Sequence, residues 1–326
     1  MSKAIRIHDY GGPDVLRWDD VDVGEPAARQ VRLRHEAIGL NYIDVYHRTG
    51  LYPLPSLPWT LGMEGAGRVE VIGEEVTEFK VGDRVAYASP PVGAYCEARL
   101  MPAERLVALP DAIDAQTAAA MMLQGMTAQY LLRRTYRVQA GDTVLLHAAA
   151  GGVGLIAVQW ARHLGATVIG TVGSEKKADL ARAHGCHHVI VYTRENFVER
   201  VREITKGRGV AVVYDSVGKD TFGRSLDCLQ PLGMMVSFGN ASGAIPAFEP
   251  AILAAKGSLF LTRPTLMTYT ARREDLLACA DELFDVVQSG AVKVEIQQRY
   301  PLSAAAQAHR DLEGRRTTGS TVLLPD

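Results

Sequence analysis

The chain has 326 residues, 47% of them hydrophobic, which suffices for two globular domains with sizeable cores. Lysine plus arginine number 35 against 37 acidic residues, a formal net charge of -2, so neither nucleic acid nor an anionic membrane finds an electrostatic footprint. Four scattered cysteines, Cys96, Cys186, Cys228 and Cys279, show no C-x-x-C pairing, which argues against a disulfide framework or a structural zinc and for a reducing cytoplasm.

The first residues, Met1-Ser2-Lys3-Ala4-Ile5-Arg6, lack the regions of a secretory signal, and no apolar run reaches membrane-spanning length. From residue 1 to about 122, short apolar runs such as Val31 to Leu33, Gly67 to Ile72 and Arg84 to Tyr87 are cut by glycine and proline. That punctuation predicts a strand-rich domain too broken for helices. Around Asp114 the composition shifts to Ala, Met and Leu, and Ala115 to Arg137 reads as a helical bridge interrupted at Gly125.

Thr143 to Ala148 then reads as a buried parallel strand running into a tight turn, Ala149-Ala150-Gly151-Gly152-Val153-Gly154. Leu155, Val158 and Leu164 fall near helical spacing, and Gly165 is a stop signal. Strand, glycine turn and helix in that order can cradle a pyrophosphate, because the free N–H groups and positive dipole end of the helix face the turn. Gly151 and Gly152 let the backbone approach phosphate, and Gly154 lets helix pack on strand, although Ala149 stands where G-x-G-x-x-G has its first glycine.

Ala166 to Val172 is the next strand, and an NAD site would want an acidic residue near its end for the ribose hydroxyls. Gly173-Ser174-Glu175-Lys176-Lys177 stands there instead. Small residues leave room for a 2'-phosphate and Lys177 can supply its counter-charge, which favours NADPH over NADH; Glu175 is a counter-signal. Lysines in the first turn of a helix oppose its dipole, so a phosphate partner would account for them better than solvent.

Further strand candidates hold Val189, Val212, Met235 and Leu259, alternating with helical segments. The alternation predicts a doubly wound α/β sheet with right-handed crossovers. Val210 to Tyr214 leads into Asp215-Ser216-Val217-Gly218, and another strand ends in Ser237-Phe238-Gly239-Asn240; both ends should border the cofactor. An amphipathic helix at Arg273 to Ser289 and a final strand at Ser320 to Leu324 should return to the first domain. The expected division is 1–124 and 266–326 for one domain and 125–265 for the nucleotide-binding domain.

Several motifs resemble the medium-chain dehydrogenase/reductases, and within them the zinc-free, zeta-crystallin-like quinone oxidoreductases of bacteria. They include Gly39-Leu40-Asn41-Tyr42-Ile43-Asp44, Leu61-Gly62-Met63-Glu64-Gly65, Val81-Gly82-Asp83-Arg84-Val85, Ala150-Gly151-Gly152-Val153-Gly154, Tyr214-Asp215-Ser216-Val217-Gly218 and Thr262-Arg263-Pro264. The resemblance implies a GroES-like, β-rich catalytic domain with an inserted Rossmann domain, and an NADPH:quinone reductase. Zinc enzymes of the family carry Cys and His where Asn41 and Met63 stand here, so no metal is expected. Without a Lewis acid, hydride addition to an electron-poor quinone is the less demanding chemistry.

By matching positions, the resemblance puts Thr127 and Tyr130 beside the nicotinamide and Gly151, Gly152, Val153 and Gly154 on the pyrophosphate. It sets Gly173, Ser174, Lys177 and Tyr192 around the 2'-phosphate, although Tyr192 also reads as an ordinary residue after a strand. Ser216, Val217, Phe238, Gly239 and Arg263, with Asn41, Tyr46 and Arg315, would complete the cofactor contacts. Asn41, Asp44, Tyr46 and Tyr52 are the catalytic candidates, set against capping for Asp44 and half-buried surface aromatics for the two tyrosines.

His147 reads as a buried, hydrogen-bonded imidazole rather than a catalyst. Competing functions are reduction of activated carbon–carbon double bonds and a non-catalytic NADPH- or RNA-binding, crystallin-like role, the latter disfavoured by the net charge. A homodimer through edge strands near Ser258 to Thr262 is expected.

Overall fold

A computed structural model describes all residues, 1–326, as two compact units. One comprises Met1–Met126, Thr270–Gln288 and Val294–Asp326; the other comprises Thr127–Tyr269 and Ser289–Lys293. No helix is long and apolar enough to cross a membrane. All four cysteines are buried, unbridged thiols.

The first unit is built on a 7-stranded sheet around Gln30–Leu40, which pairs antiparallel with Glu64–Ile72, Ala98–Pro102 and the last strand, Ser320–Leu324. Ile38, Leu40, Val69, Val85 and Leu323 fill its core, together with Leu302, Ala305 and Ala308 from the carboxyl-terminal segment. A separate 3-stranded sheet joins Ser2–Ile7 to Leu16–Val21 and Trp59–Thr60.

This unit corrects two expectations. The first is that residues 1 to 122 are too broken for helices. Tyr42–Thr49 forms a helix, started by Asn41, whose N–H donates to the Asp44 carboxylate at 2.9 Å, and ended by Gly50 in the left-handed conformation at φ 79°. An acidic residue three positions after an asparagine, with glycine past the last turn, is a helix signal that glycine and proline counts overrode. The second is that the helical bridge breaks at Gly125. Ala115–Ala119 and Met122–Tyr130 are separate helices parting at Ala120–Met121, and Gly125 lies inside the second. A side chain at Gly125 would meet Leu283 at 2.5 Å, so glycine serves close packing there rather than a break.

The second unit holds six parallel strands in the order His188–Val191, Thr167–Val172, Thr143–Leu146, Val210–Asp215, Leu229–Ser237 and Phe260–Thr262. In chain order this is 3-2-1-4-5-6, the doubly wound arrangement whose switch point lies between the first and fourth strands. Leu145, Ile169, Ile190, Val213 and Met235 are buried along it, as strands covered on both faces require. Thr143–Leu146 stops two residues short of the expected Ala148, because the chain leaves the ladder for the turn.

Candidate functional site

At the switch point, Gly152–His163 is a helix whose N-cap is Gly151, with extended backbone. Its first N–H groups have no partner within the helix, so they face the turn as a ready anion site. A methyl at Gly154 would collide with the Ala148 carbonyl, and one at Gly151 would lie 3.2 Å from the same oxygen. The first contact explains Gly154, which admits the helix onto the strand; the second leaves only a tight fit at Gly151. Ala148 takes the left-handed turn at φ 54°, a conformation that costs an alanine about 1 kcal/mol.

Thr167–Val172 ends beside a second helix start, where the Ser174 side chain accepts from the Lys177 N–H and caps Glu175–Ala183. Glu175, the counter-signal to a phosphate, pairs with Arg194 at 2.8 Å. Tyr192 lies across Gly173, its hydroxyl 2.8 Å from where a side chain would project. Gly173, Ser174, Lys177 and Tyr192 thus share one corner of this unit.

Asp215 ends the fourth strand fully buried and accepts from Val217 N–H at 2.8 Å, Gly218 N–H at 3.1 Å and Thr221 Oγ1 at 2.7 Å. These bonds shape the loop that carries Ser216 and Val217. Phe238 N–H donates to the Asp215 carbonyl at 2.8 Å, and a side chain at Gly239 would lie 2.5 Å from Ser216 O, so the ends of the fourth and fifth strands meet here.

Tyr130 is buried and stacks on Tyr269 with centroids 4.6 Å apart and planes at 17°. It precedes a π-helical turn, Leu131–Thr135, whose Leu131 carbonyl accepts from both Tyr136 N–H and the Tyr214 hydroxyl, each at 3.2 Å. Such turns mark local distortions that recur at functional sites. Thr127 is buried in the preceding helix, and Arg263 is exposed, donating to Pro264 O at 3.5 Å.

In the first unit, Asn41 is committed on every side: Nδ2 donates to Glu64 at 2.7 Å and Oδ1 accepts from Gln124 at 3.1 Å. Glu64 also accepts from Leu123 N–H at 2.7 Å, and full burial pushes its carboxyl up to about 8. Asp44 is equally buried; its Oδ2 accepts from Asn41 N–H and from the Tyr95 hydroxyl, each at 2.9 Å, while Oδ1 has no partner. Burial raises that carboxyl to about 7.

Tyr95 meets His309 Nε2 at 3.1 Å, and His309 Nδ1 lies 2.9 Å from Arg48, which pairs with Glu313 at 2.6 Å. Arginine can only donate, so the ring proton sits on Nε2, facing Tyr95. Tyr46 is buried in the helix and meets Tyr52 edge-on at 5.2 Å, with His47 a further 6.2 Å from Tyr52. Arg315 is exposed and left-handed at φ 57°. Glu64, Tyr95, His309 and Arg48 escaped the sequence reading. Glu64 stood inside a quoted motif; the others are joined only by long-range packing.

The alcohol dehydrogenase GroES-like domain matches residues 27–140, and the zinc-binding dehydrogenase domain matches 152–282. A quinone oxidoreductase of Pseudomonas aeruginosa is 57% identical over 325 residues, covering 100% of both chains. The chain belongs to the quinone oxidoreductase family, within the medium-chain dehydrogenase/reductases. A 2-haloacrylate reductase of a Burkholderia species is 51% identical, covering 100% of this chain and 99% of that protein. The crystal structure of Escherichia coli quinone oxidoreductase complexed with NADPH superposes with a TM-score of 0.98 at 50% identity, covering 99% of this chain and 100% of that one.

One matched domain is named for zinc, and the residues here do not fit it. No three His, Cys, Asp or Glu side chains converge as a metal would need. Asn41 is spent on Glu64 and Gln124, and Met63 offers a buried thioether, a poor ligand for zinc.

Proposed function

We propose that this member of the quinone oxidoreductase family reduces quinones with NADPH and without a metal. The observation that carries the reading is the turn at Gly151 to Gly154, where the Ala148 carbonyl leaves no room for a side chain at Gly154 and the helix begins with the N–H groups that any helix start leaves without an internal partner. An Escherichia coli relative with the same fold holds NADPH, and full-length relatives are named for quinones, which supports the same ligands here.

In this reading the amides at Gly152 and Val153 receive the pyrophosphate, while Ser174, Lys177 and Tyr192 border the 2'-phosphate. Thr127 and Tyr130 lie toward the nicotinamide end, with Ser216, Val217, Phe238, Gly239 and Arg263 as further contacts. Asn41, Tyr46 and Arg315 of the first unit belong to the same proposal. NADPH, when bound, supplies a hydride. Tyr46 and Tyr52 offer ring edges and hydroxyls to a planar acceptor, and the reduced oxygen takes its proton from a phenol or water. Asn41 and Asp44 act by holding the helix that carries Tyr46.

Stopped-flow mixing tests this directly: 1,4-benzoquinone should oxidise NADPH far faster with the protein than without. An unchanged rate would end the reading. Lys177→Glu should erase the preference for NADPH over NADH, and an intact preference would remove Lys177 from the phosphate site.

The 2-haloacrylate reductase relative favours a second reading, reduction of an activated carbon–carbon double bond. Assaying 2-chloroacrylate beside benzoquinone on one preparation separates the two. We also propose a cytoplasmic homodimer, supported by the exposed edge strand Phe260–Thr262 and the buried thiols.

A further inference from the structure

The second unit contains a buried chain of side chains that no proposed contact uses. His147 is fully enclosed where the first parallel strand enters the glycine turn. Its Nδ1 lies 2.8 Å from Thr171 Oγ1 and its Nε2 2.9 Å from Ser225 Oγ. Ser225 Oγ in turn donates to Asp215 Oδ2 at 3.3 Å, and Asp215 is the residue that holds the Val217 and Gly218 amides.

The directions of these bonds follow from Asp215. A carboxylate only accepts, so Ser225 spends its proton there and its oxygen must accept from His147 Nε2–H. That leaves Nδ1 as an acceptor for the Thr171 hydroxyl. The result is a neutral imidazole in one tautomer, within a chain running Thr171 to His147 to Ser225 to Asp215. Burial acts in the same sense by lowering the affinity of His147 for a proton, against the pull of Asp215.

Thr171 lies two residues before Gly173, His147 one before Ala148, and Asp215 one before Ser216. The chain therefore touches the ends of the first, second and fourth strands, three of those assigned to the nucleotide. The fifth is reached through Phe238 N–H on Asp215 O.

We propose that His147 is a positioning residue for the nucleotide: by bonding Thr171 and Ser225 at once, it sets the ends of three strands relative to one another and so holds the cradle in shape. The inference rests on the NADPH reading above. It assigns His147 no contact with the cofactor and no part in hydride transfer. Its signature is coupling, since a pre-shaped cradle spends less binding free energy on ordering its loops, and residues acting through one chain give non-additive effects.

The test is a double-mutant cycle read by NADPH fluorescence titration, without turnover. His147→Leu should weaken NADPH roughly tenfold, as losing buried hydrogen bonds that shape a site does. Ser225→Ala alone should weaken it about fivefold, yet add less than about twofold in the His147→Leu background. Effects that simply multiply, or a folded His147→Leu protein that binds NADPH as tightly as wild type, would overturn the proposal.

Should His147→Leu fail to fold, Thr171→Val and Ser225→Ala form a milder cycle with the same criteria. Failure of the wild type to bind NADPH would defeat the proposed function rather than the positioning role of His147. Hydrogen exchange then decides: Ser225→Ala should speed exchange at the bonded amide of Gly151 and at those of Val217 and Gly218 together, and faster exchange on only one side would overturn the proposal.

Discussion

A single methyl group separates the working turn from a blocked one. Gly154→Ala places a carbon against the Ala148 carbonyl, which is backbone and cannot swing aside. Overpacking of that kind costs about 1–3 kcal/mol. Gly154→Ala should therefore lower the urea midpoint and weaken NADPH at least about tenfold, since the helix start is displaced from the turn. A variant with wild-type affinity and midpoint would show that Gly154 is dispensable. The sequence made this glycine legible through its spacing from the strand. It did not disclose that Ala148 carries the left-handed residue of the turn, because alanine gives no signal for a positive φ. Ser174 and Lys177 were readable as neighbours just past the second strand, whereas Arg194, which pairs with Glu175, stands 19 residues on, where only the fold connects them.

At the level of elements, the helix Tyr42–Thr49 gathers most of the hidden chemistry of the first unit. Its amino end rests on Asp44, and Glu64 anchors Asn41 just before it. These carboxyls are raised in the fold by burial, to about 7 and about 8, so the native state holds protons that the unfolded chain releases. Their contribution is complete below the unfolded carboxylate range, about pH 4, and is lost as pH rises through 7 to 8. Glu64→Gln removes one titration, so its stability should fall less steeply than that of wild type between pH 5 and 8. Urea unfolding across that range measures the slope, and identical slopes would mean that Glu64 is ionised throughout.

Parallel strands and their helices were visible in the sequence because fully buried strands write continuous apolar runs. The short helix and the network of Tyr95, His309 and Arg48 were not. Residues of that network lie up to 261 positions apart, and each alone reads as an ordinary polar side chain.

Across the whole molecule, the sheet order 3-2-1-4-5-6 leaves Phe260–Thr262 at an edge, with Phe260 57% exposed and Leu232 67% exposed. An uncovered edge carrying large apolar side chains invites pairing with a second copy. Sedimentation velocity should give a dimer, and Phe260→Glu should give a monomer that still binds NADPH. A monomeric wild type would refute the pairing. The topology followed from alternation in the sequence, but which edge stays open depends on strand order, which no local pattern records.

Quinones are electrophiles that arylate accessible thiolates, so a protein that handles them risks being consumed by its own acceptor. Cys96, Cys186 and Cys228 are enclosed, and burial pushes their thiols up to about 12, far from the reactive thiolate; Cys279 is buried as well. Prolonged exposure to benzoquinone should therefore leave the intact mass of the native protein free of cysteine adducts, while the urea-unfolded chain should gain up to four. Resistance to the poison would then be a by-product of core packing.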